Sequence, residues 1–530
     1  MLTVAMCAAS ASPQTTAVSQ AERVKEGYAI RETADLGGHI ANIDGSGAMY
    51  DTLVNLHSGP RVLGETYEMH AVEGTKHALF DRLFAFTTGF GGDPSNTATL
   101  RFSKGKAYDF QGLFRRDRQY FDYNLLGNPL VPTGLVSNGY TFPQVTDSPH
   151  LFNTVRRMTD LNLTVLPLSK FTVRAGYGQV ISQGPTLSSV HEGTEGLLLQ
   201  NWRYSTDTFL MAADWKPISR TKLTFEEHIA HYKGNTSYQM APQALNLQLA
   251  NGQPVSLGYD NVTVPANSGA STPCGNAPPI LSSSTSPPTA NPCESGFLQY
   301  TRVQPMRTIF PTEEFRFQSA SIKKLAMNGR VSYTGANMNM PSYYEYFNGL
   351  GRSGLRMQTI TGNSTAERIS VAADFGAVWE ITDRISLAEQ YDYSDFRQPG
   401  YNNLITTSLS TAASGPNGPS MLNAPTITAG PTAAASTTFL GQKTETNNLT
   451  ALWDASAKAS ISLGYRYRVR TVNVTEAGTA PYVVMIHENG GTLGVDLRPA
   501  PRWRINGIVE AAYADNVYVQ IAPRALQHYR

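Results

Sequence analysis

Long apolar runs are missing from this 530-residue chain, and no stretch approaches the eighteen or so residues of a membrane-spanning helix. If the chain crosses a bilayer, it must do so as a closed sheet. Charge is sparse as well, at 16% of residues with a net value of +1, which gives no reason to expect nucleic acid. With three cysteines and no Cys-x-x-Cys-His, the chain carries no covalently attached c-type haem. No nucleophile and base pair is supported, so the chain does not read as an enzyme, and it is expected to bind no metal or cofactor itself. Gly349-Leu350-Gly351-Arg352-Ser353-Gly354 matches the dinucleotide fingerprint by letter, but no helix pattern follows, so it reads as a flexible loop. His228 and His231 are three apart on an alternating segment and so point to opposite faces.

What is present is a rhythm. Six times between Asn153 and Tyr518 an alternating strand of about ten residues, a short turn and a second such strand recur. The turns fall at Pro167–Lys170, Lys216–Ser219, Lys323–Ala326, Glu380–Asp383, Asp454–Ala457 and Arg498–Pro501. Longer connections, expected to be loops, separate the hairpins near 182–196, 235–312, 337–365, 397–442 and 473–487. Tyr28–Ile43, Val62–Val72, Leu83–Phe90, Thr97–Ser103 and Ala107–Gln119 add strands, with Gly91–Asn96 a strong turn between two of them. The expected fold is an all-β antiparallel transmembrane barrel of roughly 16 to 18 strands, with long extracellular loops and short periplasmic turns. No boundary divides residues 27–530, which read as one domain.

Tryptophans sharpen this reading. Trp215, Trp379, Trp453 and Trp503 sit beside short turns, where indoles favour the boundary between lipid and water. Trp202 lies thirteen residues before Trp215 and is expected at the opposite interface, completing a girdle. The alternative is large aromatics capping a soluble core. In Ala459–Arg470, Ile461, Leu463, Tyr465, Tyr467 and Val469 face one way and Arg466, Arg468 and Arg470 the other. In a barrel the three arginines would line a water-filled lumen, and in a soluble sheet they would form a solvated face.

Residues 1–26 read as the remnant of a signal peptide with a flexible leader, since Leu2–Ala8 resembles the end of a secretory apolar region and Ala9-Ser10-Ala11 a cleavage site. Cys274 and Cys293 lie in the longest loop and either close a small disulfide loop or remain free thiols. The end at Gln527-His528-Tyr529-Arg530 lacks the usual terminal aromatic, as expected of a chain cut before its final strands.

On the hairpin rhythm, the tryptophan row and Leu493–Pro499, the chain resembles the large outer-membrane β-barrels of Gram-negative bacteria from Tyr28 to about Ala522. Within that class it looks most like the MtrB/PioB-type barrels, a resemblance that implies a sheath around a periplasmic multihaem cytochrome, with haem reached only through that partner. Members of that group often carry an N-terminal Cys-x-x-Cys, which this chain lacks. The expected role is a non-enzymatic pore or sheath in the outer membrane after export, in contact with lipid. The alternatives are a TonB-dependent receptor barrel without its plug, since fewer than 30 residues precede the first strand, and a secreted soluble adhesin.

Overall fold

The computed structural model describes residues 22–45, 47–75, 78–121, 136–137, 140–141, 145–147, 152–167, 169–191, 195–239, 248–249, 259–260, 295–350, 355–410, 427–476, 480–500, 502–519 and 525–529. Cys274, Cys293 and residues 1–21 therefore lie outside the described residues.

The wall runs in chain order through β1 (Arg23–Lys25), β2 (Tyr28–His39), β3 (Gly59–Ala71), β4 (Arg82–Thr88), β5 (Ser95–Lys104), β6 (Tyr108–Phe121), β7 (Phe152–Val165), β8 (Phe171–His191) and β9 (Glu195–Trp215). It continues through β10 (Thr221–Gln239), β11 (Ser295–Ser319), β12 (Leu325–Leu350), β13 (Leu355–Thr382), β14 (Ile385–Ser410) and β15 (Ile427–Ser456). β16 (Ala459–Thr475), β17 (Tyr482–Ala500), β18 (Trp503–Val519) and β19 (Ala525–Tyr529) complete it. Each strand pairs antiparallel with its sequence neighbour in one 20-stranded sheet, of which β1 and the two-residue Tyr259–Asp260 are appendages, leaving 18 wall strands. Among the described residues, no ladder joins β19 to β1 or β2. One short helix, α1 (Gly47–Leu53), interrupts the β2–β3 connection, and no helix among the described residues is long and apolar enough to cross a membrane.

All six turns occur where the alternation breaks, between β7 and β8, β9 and β10, β11 and β12, β13 and β14, β15 and β16, and β17 and β18. Three of them hold a non-glycine residue in the left-handed region, Leu166 (φ 54), Arg220 (φ 60) and Lys324 (φ 64). Gly89 (φ +78) opens the Gly91–Asn96 turn, and a Cβ there would overlap the Ser95 carbonyl oxygen.

The expected loops are largely strand. From β8 to β18 the strands run from 17 to 30 residues, so the stretches 182–196, 337–365, 397–442 and 473–487 are mostly ladder, as are both ends of 235–312. Alternation fades there because both faces meet water, yet each peptide group still needs a partner and the antiparallel ladder supplies it. Likewise Arg23–Lys25, assigned to a flexible leader from sequence, pairs with Tyr28–Ile30.

The wall has almost no conventional core. Leu463 is 64% exposed and Trp503 69%, in company with Met211, Phe209, Ile505 and Val509. Paired residues share a face, so the ladders link these side chains into one apolar surface. On β13 that surface runs through Trp379, Ala377, Phe375, Ala373, Val371 and Ile369, a rise of about 23 Å at ~3.3 Å per residue and ~45° tilt, close to the apolar band of a membrane barrel. The inward-to-outward order of a water-soluble fold is reversed.

Leu463→Arg is expected to destabilise the protein by about 2–4 kcal/mol in lipid, whereas Ser462→Arg on the other face costs far less. Urea unfolding of reconstituted protein measures the difference, and equal losses would mean that the Leu463 face does not meet lipid.

Candidate functional site

The face opposite the apolar band holds the linked charge networks, although the pairs Arg397–Asp395 and Lys443–Glu445 lie on the apolar face, opposite Ile369, Val371 and Val469. On β8 to β11 a network runs from Lys222 to Asp214 (3.1 Å), from Asp214 to Arg174 (3.4 Å) and from Arg174 to Glu226 (3.3 Å). Arg316 closes it by bridging Glu226 (3.7 Å) and Glu314. Glu226 and Glu314 are directly opposed in the ladder, a repulsive arrangement that the two arginines on either side offset. Thr224 donates to Asp214 at 2.7 Å, and Arg330 bonds Asp374 at 2.8 Å further round the same face.

Arg466, Arg468 and Arg470 lie on this face as a row, but not as free positive charge. Arg466 bonds Glu488 at 2.5 Å and also reaches Glu510, Arg468 lies 3.8 Å from Glu488, and Arg470 donates to Gln442 at 2.8 Å. The strongly basic face expected from β16 alone is therefore charge-compensated. Its partners sit on β17, β18 and β15, and one strand's sequence does not contain them.

Trp215, Trp379, Trp453 and Trp503 lie on the apolar face beside the short turns, each at least half exposed. Trp202 does not join them. The β8–β9 ladder runs without a slip from Trp202 opposite Gly184 to Trp215 opposite Phe171, and thirteen is an odd number, so the two indoles point to opposite faces. Trp202 shares the charged face and stacks on Tyr204 (5.2 Å), which stacks in turn on Tyr232 (6.0 Å). His228 and His231 do point to opposite faces, paired with Leu210 and Asp207. Gly349 and Leu350 end β12, residues 351–354 lie outside the described residues, and the strand β13 follows. No metal-holding group of His, Cys, Asp or Glu occurs among the described residues.

Above the apolar band the charged face carries a buried cluster that sequence reading missed. Leu198 and Tyr300, each 1% exposed, pack with Phe347, Tyr238 and Leu355. Tyr300 donates to Glu345 at 2.9 Å, Tyr343 donates to its other oxygen, and the Arg302 guanidinium lies 4.0 Å over the Tyr238 ring. Burial first, then the adjacent carboxylate, pushes both phenols well above the ordinary tyrosine range, so they stay protonated donors at any physiological pH. Counting parity from Trp202 through Tyr204 would have put those two rings on one face. The distant Tyr300 and Glu345 left no such signal.

No family model matches the chain, and no curated protein does. Among solved structures it is similar to the ferric yersiniabactin uptake receptor FyuA from Yersinia pestis, at 8% identity and a TM-score of 0.33 over 88% of this chain and 76% of that one. It is also similar to the ferric-catecholate import receptor Fiu from E. coli K12, at 10% identity and 0.32 over 88% and 81%. A Pseudomonas aeruginosa FadL homologue gives 13% identity and 0.23 over 78% and 83%. Likeness this loose assigns no role to the chain, whose fold rests on its own ladders.

Tyr300→Phe with Tyr343→Phe leaves the Glu345 carboxylate without its two phenolic donors and is expected to cost about 1–3 kcal/mol locally. Limited proteolysis should then cut within 295–350 sooner than in the wild type, and an unchanged pattern would show that these bonds do not hold the upper strands.

Proposed function

We propose that the chain is a barrel of the Gram-negative outer membrane that passes small hydrophilic solutes through a lumen lined by paired charges. The observation that carries this is the division of the wall, with large apolar side chains exposed on one face and the linked ion-pair networks on the other, from which the pairs Arg397–Asp395 and Lys443–Glu445 depart by lying on the apolar face. Toward hydrocarbon the charged face would cost a few kcal/mol per residue, so the apolar face meets lipid and the charged face meets water. Trp215, Trp379, Trp453 and Trp503 then mark the periplasmic interface. A lumen in which Arg466 is balanced by Glu488 and Glu510 holds both signs and favours neither strongly. Solute passage needs no chemistry from the wall, in keeping with a non-enzymatic role. The sheath around a multihaem cytochrome rests on the family resemblance alone, and no contact or surface among the described residues favours it.

Detergent-extracted protein should run faster on gels unboiled than boiled, and reconstituted protein should conduct ions without a Soret band. Glu488→Gln with Glu510→Gln leaves Arg466 and Arg468 unbalanced and should shift the permeability ratio toward anions in planar bilayers. Conductance with unchanged selectivity would remove these residues from the conducting path, and extraction without detergent would overturn the membrane reading.

A further inference from the structure

The apolar face changes character abruptly toward the long-loop end. Three successive ladder rows on β6 to β11 hold Tyr108, Val165, Val173, Ala213, Phe225 and Phe315, then Phe110, Leu163, Ala175 and Met211 with the carboxylates Glu227 and Glu313, then Gly112, Leu161, Tyr177, Phe209 and Ile229. One mixed row follows, in which Asp207 accepts from Tyr177 and Gln179. Next comes the row Arg116, Arg157, Ile181, Ser205, Lys233 and Arg307, and above it the row Arg118, Val155, Gln183, Arg203, Asn235 and Pro305. These two rows contain six cations and no carboxylate.

Two features set this collar apart from the charge on the other face. Arg116 directly opposes Arg157, and Lys233 directly opposes Arg307, so like charges face each other across the ladder. Glu226 and Glu314 are opposed in the same way but are bridged by arginines, whereas no carboxylate among the described residues pairs with Arg157, Arg203, Lys233 or Arg307. Arg157, Arg203 and Lys233 are exposed, and the Nε of Arg116 and of Arg118 finds no acceptor. Repulsion of this kind is relieved when an external anion supplies the missing charge.

We propose that this collar binds phosphorylated lipid headgroups of the outer leaflet. The assignment rests on the membrane reading above, in which, strand by strand, the collar's cations follow the last apolar residues of the band, where headgroups begin. A membrane-surface cation attracts anionic lipid most strongly within a Debye length, and here the cations are fixed on a rigid wall directly above acyl-chain contacts.

The test uses the full chain in mixed micelles of neutral detergent with phosphatidylglycerol or with phosphatidylcholine, bound lipid being counted by native mass spectrometry. Wild type should retain phosphatidylglycerol in preference to phosphatidylcholine, less so at high salt. Arg157→Gln/Lys233→Gln/Arg307→Gln should weaken retention by roughly fivefold per cation removed. Lys216→Gln/Lys323→Gln, at the short turns, should leave it unchanged. Unchanged retention in the triple variant, a loss in the short-turn variant instead, or full displacement by inorganic phosphate at matching phosphate concentration would each overturn the assignment. Heat-modifiable mobility is recorded for every variant. If it is lost in the wild type the membrane reading fails, and if it is kept while retention stays unchanged only the collar assignment fails.

Discussion

Every peptide group in a wall one sheet thick must find its partner within that sheet, because there is no second layer to supply one and lipid offers none. The period of two follows from this. An extended strand throws successive side chains to opposite sides, so the ladder that satisfies the backbone also separates the side chains into two surfaces. Leu463, Tyr465 and Tyr467 go one way and Arg466 and Arg468 the other, and ladder pairing carries the same alternation from β15 to β18.

The two surfaces handle charge differently. On the charged face, cations and carboxylates from four adjacent strands interlock, so Arg174, Asp214, Glu226 and Arg316 each have an opposite charge within reach. Such pairs in contact with water add little stability individually, but they keep the face polar without a strong excess of one sign. On the other face Glu227, Glu313 and Glu389 lie among apolar rows, the pairs Arg397–Asp395 and Lys443–Glu445 sit on β14 and β15, and the cations without a carboxylate partner sit on β6 to β11.

Strand lengths exceed what a bilayer requires. The upper halves of β9 to β15 continue as paired ribbons beyond the apolar band, and there the charged face of β9 to β13 carries Trp202, Tyr204, Tyr232 and the buried Tyr300 cluster. The paired strands reach well past the apolar band, and aromatic side chains gather there on the charged face.

The sequence by itself determined the six hairpin turns, the strands before Asn153 and the face of Ile461 to Arg470, because each depends on a local alternation and a local break. Strand extension beyond the band was not legible, since a ladder in water needs no alternation and polar stretches such as Thr359–Thr365 pair as well as apolar ones. Trp202 was placed by distance along the strand when parity decides its face. Only the tertiary structure brought Glu488 and Glu510 to Arg466, or aligned Arg116, Arg157, Lys233 and Arg307 in one row, because a row across the wall draws one residue from each strand and its register is set by pairing, not by any single strand's sequence.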